Sequence, residues 1–198
     1  GRRLGYGSTA YIPHNLPMTI TGAALLWFGW FGFNAGSALA ANGLAASAFV
    51  VTHIASAVAA LSWLLVEWVH RGKPTTLGAA SGAVAGLVAI TPGSGFVGPV
   101  SAILIGGVAG VICYGGVMLK AKLRYDDSLD VVGIHGFGGT WGALATGLFA
   151  SKAVNPAGSD GLFFGHPGQL GIQFVSVAVT IVFAFVMTMV LLKVVDVV

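Results

Sequence analysis

The stretch GLFFGHPGQLGIQFVSVAVTIVFAFVMTMVLL, residues 161–192, contains no Lys, Arg, Asp or Glu. An α-helix needs about 20 mainly apolar residues to cross the hydrocarbon core of a bilayer, so this stretch is long enough for one span. Charge-free runs of the same kind recur at 4–66, 74–119 and 131–151. The pattern indicates an all-α, polytopic membrane helix bundle.

The composition supports a membrane protein and argues against several soluble classes. Hydrophobic residues make up 56% of the chain, charged residues 8%, and the mean hydropathy is +0.91. Such values are typical of chains whose partner is the lipid bilayer. The net charge of +3 is small and scattered, which argues against a nucleic-acid partner. No catalytic triad, P-loop or metal-ligand cluster stands out, so we predict neither an enzyme nor a cofactor.

Glycine and proline residues divide the charge-free runs into predicted helices, because both residue types favour turns and helix ends. The whole chain, residues 1–198, is interpreted as a single membrane domain. The predicted helices are 17–39, 44–70, 75–91, 96–122, 127–150 and 166–195.

Basic residues predict the orientation of these six helices in the membrane. Eight of the nine Lys and Arg residues fall on the side shared by the two chain ends, and only Lys152 falls on the other. The positive-inside rule makes the basic side cytoplasmic, which predicts a cell-membrane protein with both ends of the segment in the cytoplasm. The eight are Arg2, Arg3, Arg71, Lys73, Lys120, Lys122, Arg124 and Lys193.

Small residues recur four positions apart in several predicted helices. Such pairs remove side-chain bulk from one stripe and allow close approach of two backbones, which is how helices pack within lipid. The pairs predict a tightly packed bundle. They are Gly32 and Gly36, Gly82 and Gly86, Gly106 and Gly110, and Gly138 and Gly142.

His135 is the residue most suggestive of function. It lies in DVVGIHGFGGTWGALATG, residues 130–147, with no other ionisable side chain after Asp130. If the fifth helix starts at residue 127, His135 lies about 13 Å from its end, and a neutral imidazole there can donate one hydrogen bond and accept another. The position alone fits a functional group or a packed histidine bonded to a neighbouring helix. The surrounding glycines favour a lined cavity and hence a narrow apolar conduit.

Two further positions suggest a site or its support. Phe33 and Ser37 are four residues apart and share a helix face near the outer end, where a ring and a hydroxyl could receive a cation; the alternative for each aromatic in this helix is ordinary packing. Asp130, five residues before His135, is predicted to cap or brace the backbone near a helix start. Alternatively, its carboxylate tunes a site.

Four ordered motifs carry a family resemblance. They are PHNLP (13–17) leading into GWFGFNAGSA (29–38), EWVHRGKPTTLGAASGAVAGLVAITPGSG (67–95) and DDSLDVVGIHGFGG (126–139). The sequence resembles the Amt/Mep/Rh ammonium transporters, and DVVGIHG resembles the Amt branch in particular. The resemblance implies an eleven-helix fold of two inverted five-helix repeats plus a long final helix, assembled as a homotrimer with one pore per subunit. It also implies that this chain covers the sixth helix onward.

The resemblance implies a role for each matching residue. His135 would be the second member of a twin-histidine pair in the pore, and Phe33 one of two gate phenylalanines. Ser37 would belong to the outer recruitment site, with Thr91 near the same vestibule, and Asp130 would support the pore structure. The implied activity is recruitment of ammonium and conduction of ammonia with a proton relay.

The first histidine, the partner phenylalanine and a recruitment-site tryptophan would lie outside this segment. We therefore expect a portion of a longer protein, favoured by the opening GRRLGYG, or a chain that pairs with a separate half. The alternatives to a transporter are an ammonium sensor fused to a signalling domain and a structural membrane subunit. The resemblance also implies a P-II-type regulator on the cytoplasmic face, where basic residues otherwise only set topology. These are Arg71, Lys73, Lys120, Lys122 and Arg124.

Overall fold

The computed structural model describes residues 3–7 and 12–197, and within these ranges it contains helices and connecting loops but no strand. Arg2 and part of the opening polar stretch lie outside the described residues. Short 3₁₀ turns follow α1 and α3 and precede α6. The helices are α1 (Leu16–Asn34), α2 (Gly43–Arg71), α3 (Thr76–Ile90), α4 (Pro99–Leu123), α5 (Phe137–Phe149) and α6 (Gly168–Val197), with a π-helical segment, Val132–Gly136, directly before α5.

Local sequence accounts for the starts of the first three helices. The side chains of Asn15, Asn42 and Thr75 each accept a hydrogen bond from the backbone N–H three residues later. These bonds satisfy donors that a helix leaves unpaired at its N-terminus. Gly72, with φ +80°, ends α2 in the left-handed conformation that glycine adopts readily.

The fifth helix begins later than predicted. The predicted start at residue 127 is wrong, because residues 125–130 form a loop and regular structure begins at about Val131. Asp130 has φ +56°, a left-handed conformation that interrupts a right-handed helix. The other predicted segments each overlap one helix, with ends that differ by a few residues.

The core lies where α2 packs against both α3 and α4. Gly86 of α3 and Gly106 of α4 both approach the carbonyl oxygen of Ala55 so closely that an added Cβ would lie 2.4 Å from it. The predicted close packing is therefore confirmed for the three pairs in α3, α4 and α5. Gly32 and Gly36 differ, since a Cβ at either would have no neighbour within 4 Å among the described residues.

The two ends of the bundle differ in charge. We call the end with the α2–α3 and α4–α5 loops the basic end; it carries Arg71, Lys73, Lys122 and Arg124, all exposed. The opposite end, with the loops after α1, α3 and α5, is called the distal end. α1, α2, α3, α4 and α6 are long and apolar enough to cross a membrane. α6 has no buried residue among those described, so its apolar surface lies on the outside of the bundle.

Candidate functional site

A cavity of about 310 Å³ opens at the distal end, where the loops after α1, α3 and α5 meet the start of α2. Phe33, Ser37 and Thr91 all line it. Phe33 and Ser37 lie four residues apart at the end of α1, and the fold brings Thr91, from the end of α3, to the same cavity. The remaining lining residues are Asn34, Ala38, Leu44, Ala48, Pro92, Ser94, Gly95, Phe96 and Asn155.

Phe33 is the aromatic residue with which α1 lines the cavity. Its side chain is 61% exposed, and Trp30 meets it edge to face, with ring centroids 6.0 Å apart. The phenylalanine ring is thus held from one side and open on the other. An open aromatic face attracts a cation within about 6 Å of its centroid.

The hydroxyls in the cavity wall are oriented by fixed hydrogen bonds. Ser37 Oγ donates to the carbonyl oxygen of Phe33 at 2.5 Å. Thr91 Oγ1 donates to the carbonyl oxygen of Leu87 at 2.7 Å and accepts from Trp30 Nε1, also at 2.7 Å. Because each hydroxyl proton is already committed, the lone pairs that remain can only accept. The wall is therefore suited to a ligand that donates hydrogen bonds.

Asn34 gives the cavity a buried polar floor that the sequence did not reveal. It is 6% exposed, and its amide nitrogen donates to Thr52 Oγ1 at 3.0 Å. Thr52 in turn donates to the carbonyl oxygen of Ala48 at 2.6 Å. These two hydrogen bonds link the end of α1 to α2 and hold the α1 side of the cavity in place.

His135 lies elsewhere, in the π-helical segment before α5. It is exposed, whereas its neighbours Gly133 and Ile134 are buried against α4. Cys113 Sγ donates to the carbonyl oxygen of Ile134 at 3.6 Å. Cys113 precedes Leu123, the last residue of α4, by ten residues, or about 15 Å at 1.5 Å per residue. His135 therefore lies well inside the length of α4 even though it is close to the start of its own helix.

The acidic loop before this segment does not use Asp130 in the predicted way. Of the predicted roles, capping by Asp130 is wrong, because the carboxylate of Asp127 accepts from the N–H groups of Val131 and Val132, at 3.0 and 2.7 Å. Asp130 instead forms an ion pair with Lys120, whose ammonium also donates to the carbonyl oxygen of Asp127 at 2.9 Å. The backbone of Asp130 is left-handed, and the aspartate that caps the segment is Asp127.

The segment before α1 is bound to the same loop. The guanidinium of Arg3 forms an ion pair with Asp126 at 2.7 Å, and its backbone N–H donates to the same carboxylate at 2.6 Å. The side-chain hydrogen bond from Arg3, followed by the backbone one, holds the pKa of Asp126 below its usual range. Tyr6 donates from its hydroxyl to the carbonyl oxygen of Tyr125 at 2.6 Å. We call this set of contacts the N-terminal latch.

Comparison with known proteins identifies the family. The sequence matches the Ammonium Transporter Family over residues 1–198. It is 55% identical to an ammonium transporter of Bacillus subtilis over 95% of this chain and 47% of the relative. The structure resembles Mep2 of Saccharomyces cerevisiae with a TM-score of 0.89 at 39% identity, covering 94% of this chain and 45% of that one.

A sensor Amt protein is also structurally similar, with a TM-score of 0.84 at 32% identity over 96% of this chain and 46% of the other. The chain thus spans about half the length of the proteins it matches. These matches confirm the all-α membrane fold and the resemblance inferred from the four sequence motifs. The chain belongs to the Ammonium Transporter Family.

Proposed function

We propose that this chain forms part of an ammonium transporter, in which the distal cavity recruits the ammonium ion and the surface carrying His135 lines the path of ammonia. The meeting of Phe33, Ser37 and Thr91 in one cavity is the observation that carries the proposal. The wall combines an open aromatic face with hydroxyl lone pairs. Ammonium is a cation that donates hydrogen bonds and accepts none, and this wall offers both kinds of attraction.

The physical chemistry of ammonium favours two separate regions, one that binds the cation and one that conducts ammonia. Moving an intact cation into an apolar channel removes its water shell at a cost of several kcal/mol. Ammonia carries no net charge, so its transfer costs far less. A neutral imidazole at His135 would accept one hydrogen bond from ammonia and donate another, and with a partner it could relay the released proton.

The proposed pore needs a second wall. His135 is exposed on the described bundle, and in the proposed transporter this surface faces the other repeat of the complete protein. We also propose that the chain folds as one membrane domain, that Asp130 supports the pore through Lys120, and that the complete protein assembles as a homotrimer in the cell membrane. The positive-inside rule supports a cytoplasmic location for the basic end.

Uptake kinetics of the full-length protein test the proposal. Ser37→Ala should raise the KM for methylammonium about tenfold, the effect of losing one hydrogen bond to a charged ligand. Phe33→Ala should change the maximal flux or the selectivity over potassium. Phe28→Ala is a matched control, because Phe28 is 78% exposed on the same helix but does not line the cavity.

Two outcomes would contradict this assignment. Normal kinetics and selectivity in both Ser37→Ala and Phe33→Ala proteins that assemble as wild type would leave the cavity without a role in recruitment. His135→Leu tests the conduction path separately, since it removes both hydrogen-bonding nitrogens. Unchanged uptake by His135→Leu would favour a purely structural subunit.

Sensing is the second candidate function, and the similarity to a sensor Amt protein favours it. The ligand chemistry of the distal cavity would be the same in either case. The two functions differ in whether the bound ion crosses the membrane, so purified full-length protein in liposomes separates them. Net ammonium flux supports the transporter, whereas saturable binding without flux supports the sensor.

We further propose that a P-II-type regulatory protein docks on the basic end. Arg71, Lys73, Lys122 and Arg124 are exposed there and can attract an acidic partner; we call them the four exposed cations. Lys120, which the sequence grouped with them, is engaged by Asp130 and by the carbonyl oxygen of Asp127. The proposed docking therefore relies on the four and not on Lys120.

A further inference from the structure

The π-helical segment Val132–Gly136 gives His135 a different direction from the one a regular helix would give. The N–H of Phe137 bonds to the carbonyl oxygen of Val132, five residues earlier, as well as to that of Ile134. An α-helix bonds each N–H to the carbonyl four residues earlier. One extra residue in a turn rotates everything before it by about 100° relative to everything after it.

Packing against α4 depends on this wider turn. A Cβ on Gly133 would lie 2.8 Å from Val117 Cγ2, and one on Gly138 would lie 3.1 Å from Cys113 Sγ. The two glycines are five residues apart, yet both face α4. In a regular α-helix, residues five apart point about 140° away from each other. The π turn therefore seats both glycines on α4 and leaves His135 on the outer surface.

One stripe of α4 contacts this whole region. Its members are spaced three, four and seven residues from the first, which places them on one helix face. At the basic end of the stripe, Lys120 holds the loop through Asp130 and the carbonyl oxygen of Asp127. We call these residues the α4 stripe; they are Cys113, Gly116, Val117 and Lys120.

Asp127 connects this loop to the π-helical segment. Both oxygens of its carboxylate accept backbone N–H groups, from Val131 and from Val132. Val132 is the first residue of the π-helical segment, and its carbonyl oxygen accepts the hydrogen bond from the N–H of Phe137, five residues later. A charged acceptor at a helix start satisfies unpaired donors and interacts favourably with the helix dipole. The cap thus acts on the turn that sets the direction of His135.

We propose that Asp127 is a positioning residue for His135, acting by capping the π-helical segment so that the imidazole is held in the direction that the proposed pore requires. The inference rests on the proposed function only for what His135 does. The geometric part, that Asp127 controls where position 135 points, stands on the contacts of the described loop. Loss of the cap leaves two backbone donors unpaired, and the wider turn can then relax toward a regular helix that turns position 135 away.

The experiment uses the full-length protein with His135→Cys as a reporter. Small thiol reagents modify the introduced cysteine, and mass spectrometry of the peptide that contains position 135 gives the rate. We expect Asp127→Ala to change this rate about fivefold or more, the factor that corresponds to the loss of one helix cap. Asp127→Asn keeps one acceptor oxygen and should give an intermediate rate. Asp126→Asn is the matched control. It removes a carboxylate from the same loop, but this carboxylate bonds to Arg3 and does not cap the π-helical segment.

The uptake kinetics provide a second readout in proteins that retain His135. Asp127→Ala should lower the maximal rate of methylammonium uptake and leave the KM unchanged, because the distal cavity is untouched. If Asp127→Ala does not assemble, Asp127→Asn against Asp126→Asn decides the question. Equal labelling rates for His135→Cys alone and for His135→Cys combined with the Asp127 variants, or an equal change with Asp126→Asn, would overturn the inference. Unchanged uptake by His135→Leu would instead overturn the proposed role of His135, while the labelling result would still stand.

Discussion

Replacing Gly106 with alanine is expected to force α4 away from α2. An alanine Cβ at this position would lie 2.4 Å from the carbonyl oxygen of Ala55 and 2.8 Å from its Cα, whereas ordinary contact begins at 3.4 Å. These atoms belong to the α2 backbone, which cannot swing aside as the end of a flexible side chain can. The two helices must therefore separate by about 1 Å in this direction.

The energetic cost depends on the size of that shift. A gap of about 0.5–1 Å forfeits a quarter to a half of the dispersion attraction between facing atoms, and overpacked cores typically lose about 1–3 kcal/mol. The helix propensity of alanine exceeds that of glycine by about 1 kcal/mol in water. Little of this gain applies here, because a helix within lipid keeps its backbone hydrogen bonds even when it leaves its neighbours.

The neighbouring residue provides a matched control for the same substitution. Among the described residues, a Cβ on Gly107 would have only Val58 Cγ1 within 4 Å, at 3.7 Å. In reversible unfolding of the full-length protein in one detergent, Gly106→Ala should lower the free energy of unfolding by about 1–3 kcal/mol. Gly107→Ala should stay within about 0.5 kcal/mol of wild type. Equal stability of the two variants would refute the packing argument.

The N-terminal latch should be insensitive to pH from 8 to about 5 and should open as the pH falls below about 4. The pKa of Asp126 is lower in the folded protein than its value of about 3.9 in the unfolded chain. The stabilisation that ionised Asp126 gives the latch is therefore complete above the unfolded pKa and is lost as the pH falls through the folded pKa. Spin labels at Leu4→Cys and Leu129→Cys, both exposed sites, would report the distance; opening already at pH 6 would contradict this reasoning. Neutralising the four exposed cations should weaken binding of a cognate P-II-type protein and reduce its salt dependence, since exposed charges are screened within about 8–10 Å, while Lys120→Gln should not. Unchanged binding after neutralising all four, in a correctly inserted protein, would leave them a topogenic role only.

Much of the fold was accessible from the sequence because lipid imposes simple length rules. Charge-free runs located the helices, and glycine pairs four apart identified the close contacts of α3, α4 and α5. The pair Gly32 and Gly36 has the same spacing but no close neighbour among the described residues. Spacing shows where backbones can approach; it does not show which helix, if any, fills the space.

The site was only partly accessible for a related reason. The spacing of Phe33 and Ser37 placed them on one face, and the family motifs added Thr91. The bond from Trp30 to Thr91 joins residues 61 positions apart, and no local pattern indicates it. The sequence also did not show that Asp127 forms the cap while Asp130 pairs with Lys120. This arrangement depends on the position of the Lys120 ammonium group, which comes from the preceding helix.

The brevity of the fifth helix has a consequence for how the protein enters the membrane. With the π-helical segment it runs from Val132 to Phe149, about 27 Å, slightly less than the roughly 30 Å hydrocarbon core. A span of this length only just matches the hydrocarbon core, and packing against the α4 stripe adds to the hold that lipid provides. In the order of synthesis α4 comes first, so the surface that receives the fifth helix has emerged from the ribosome before that helix reaches the bilayer.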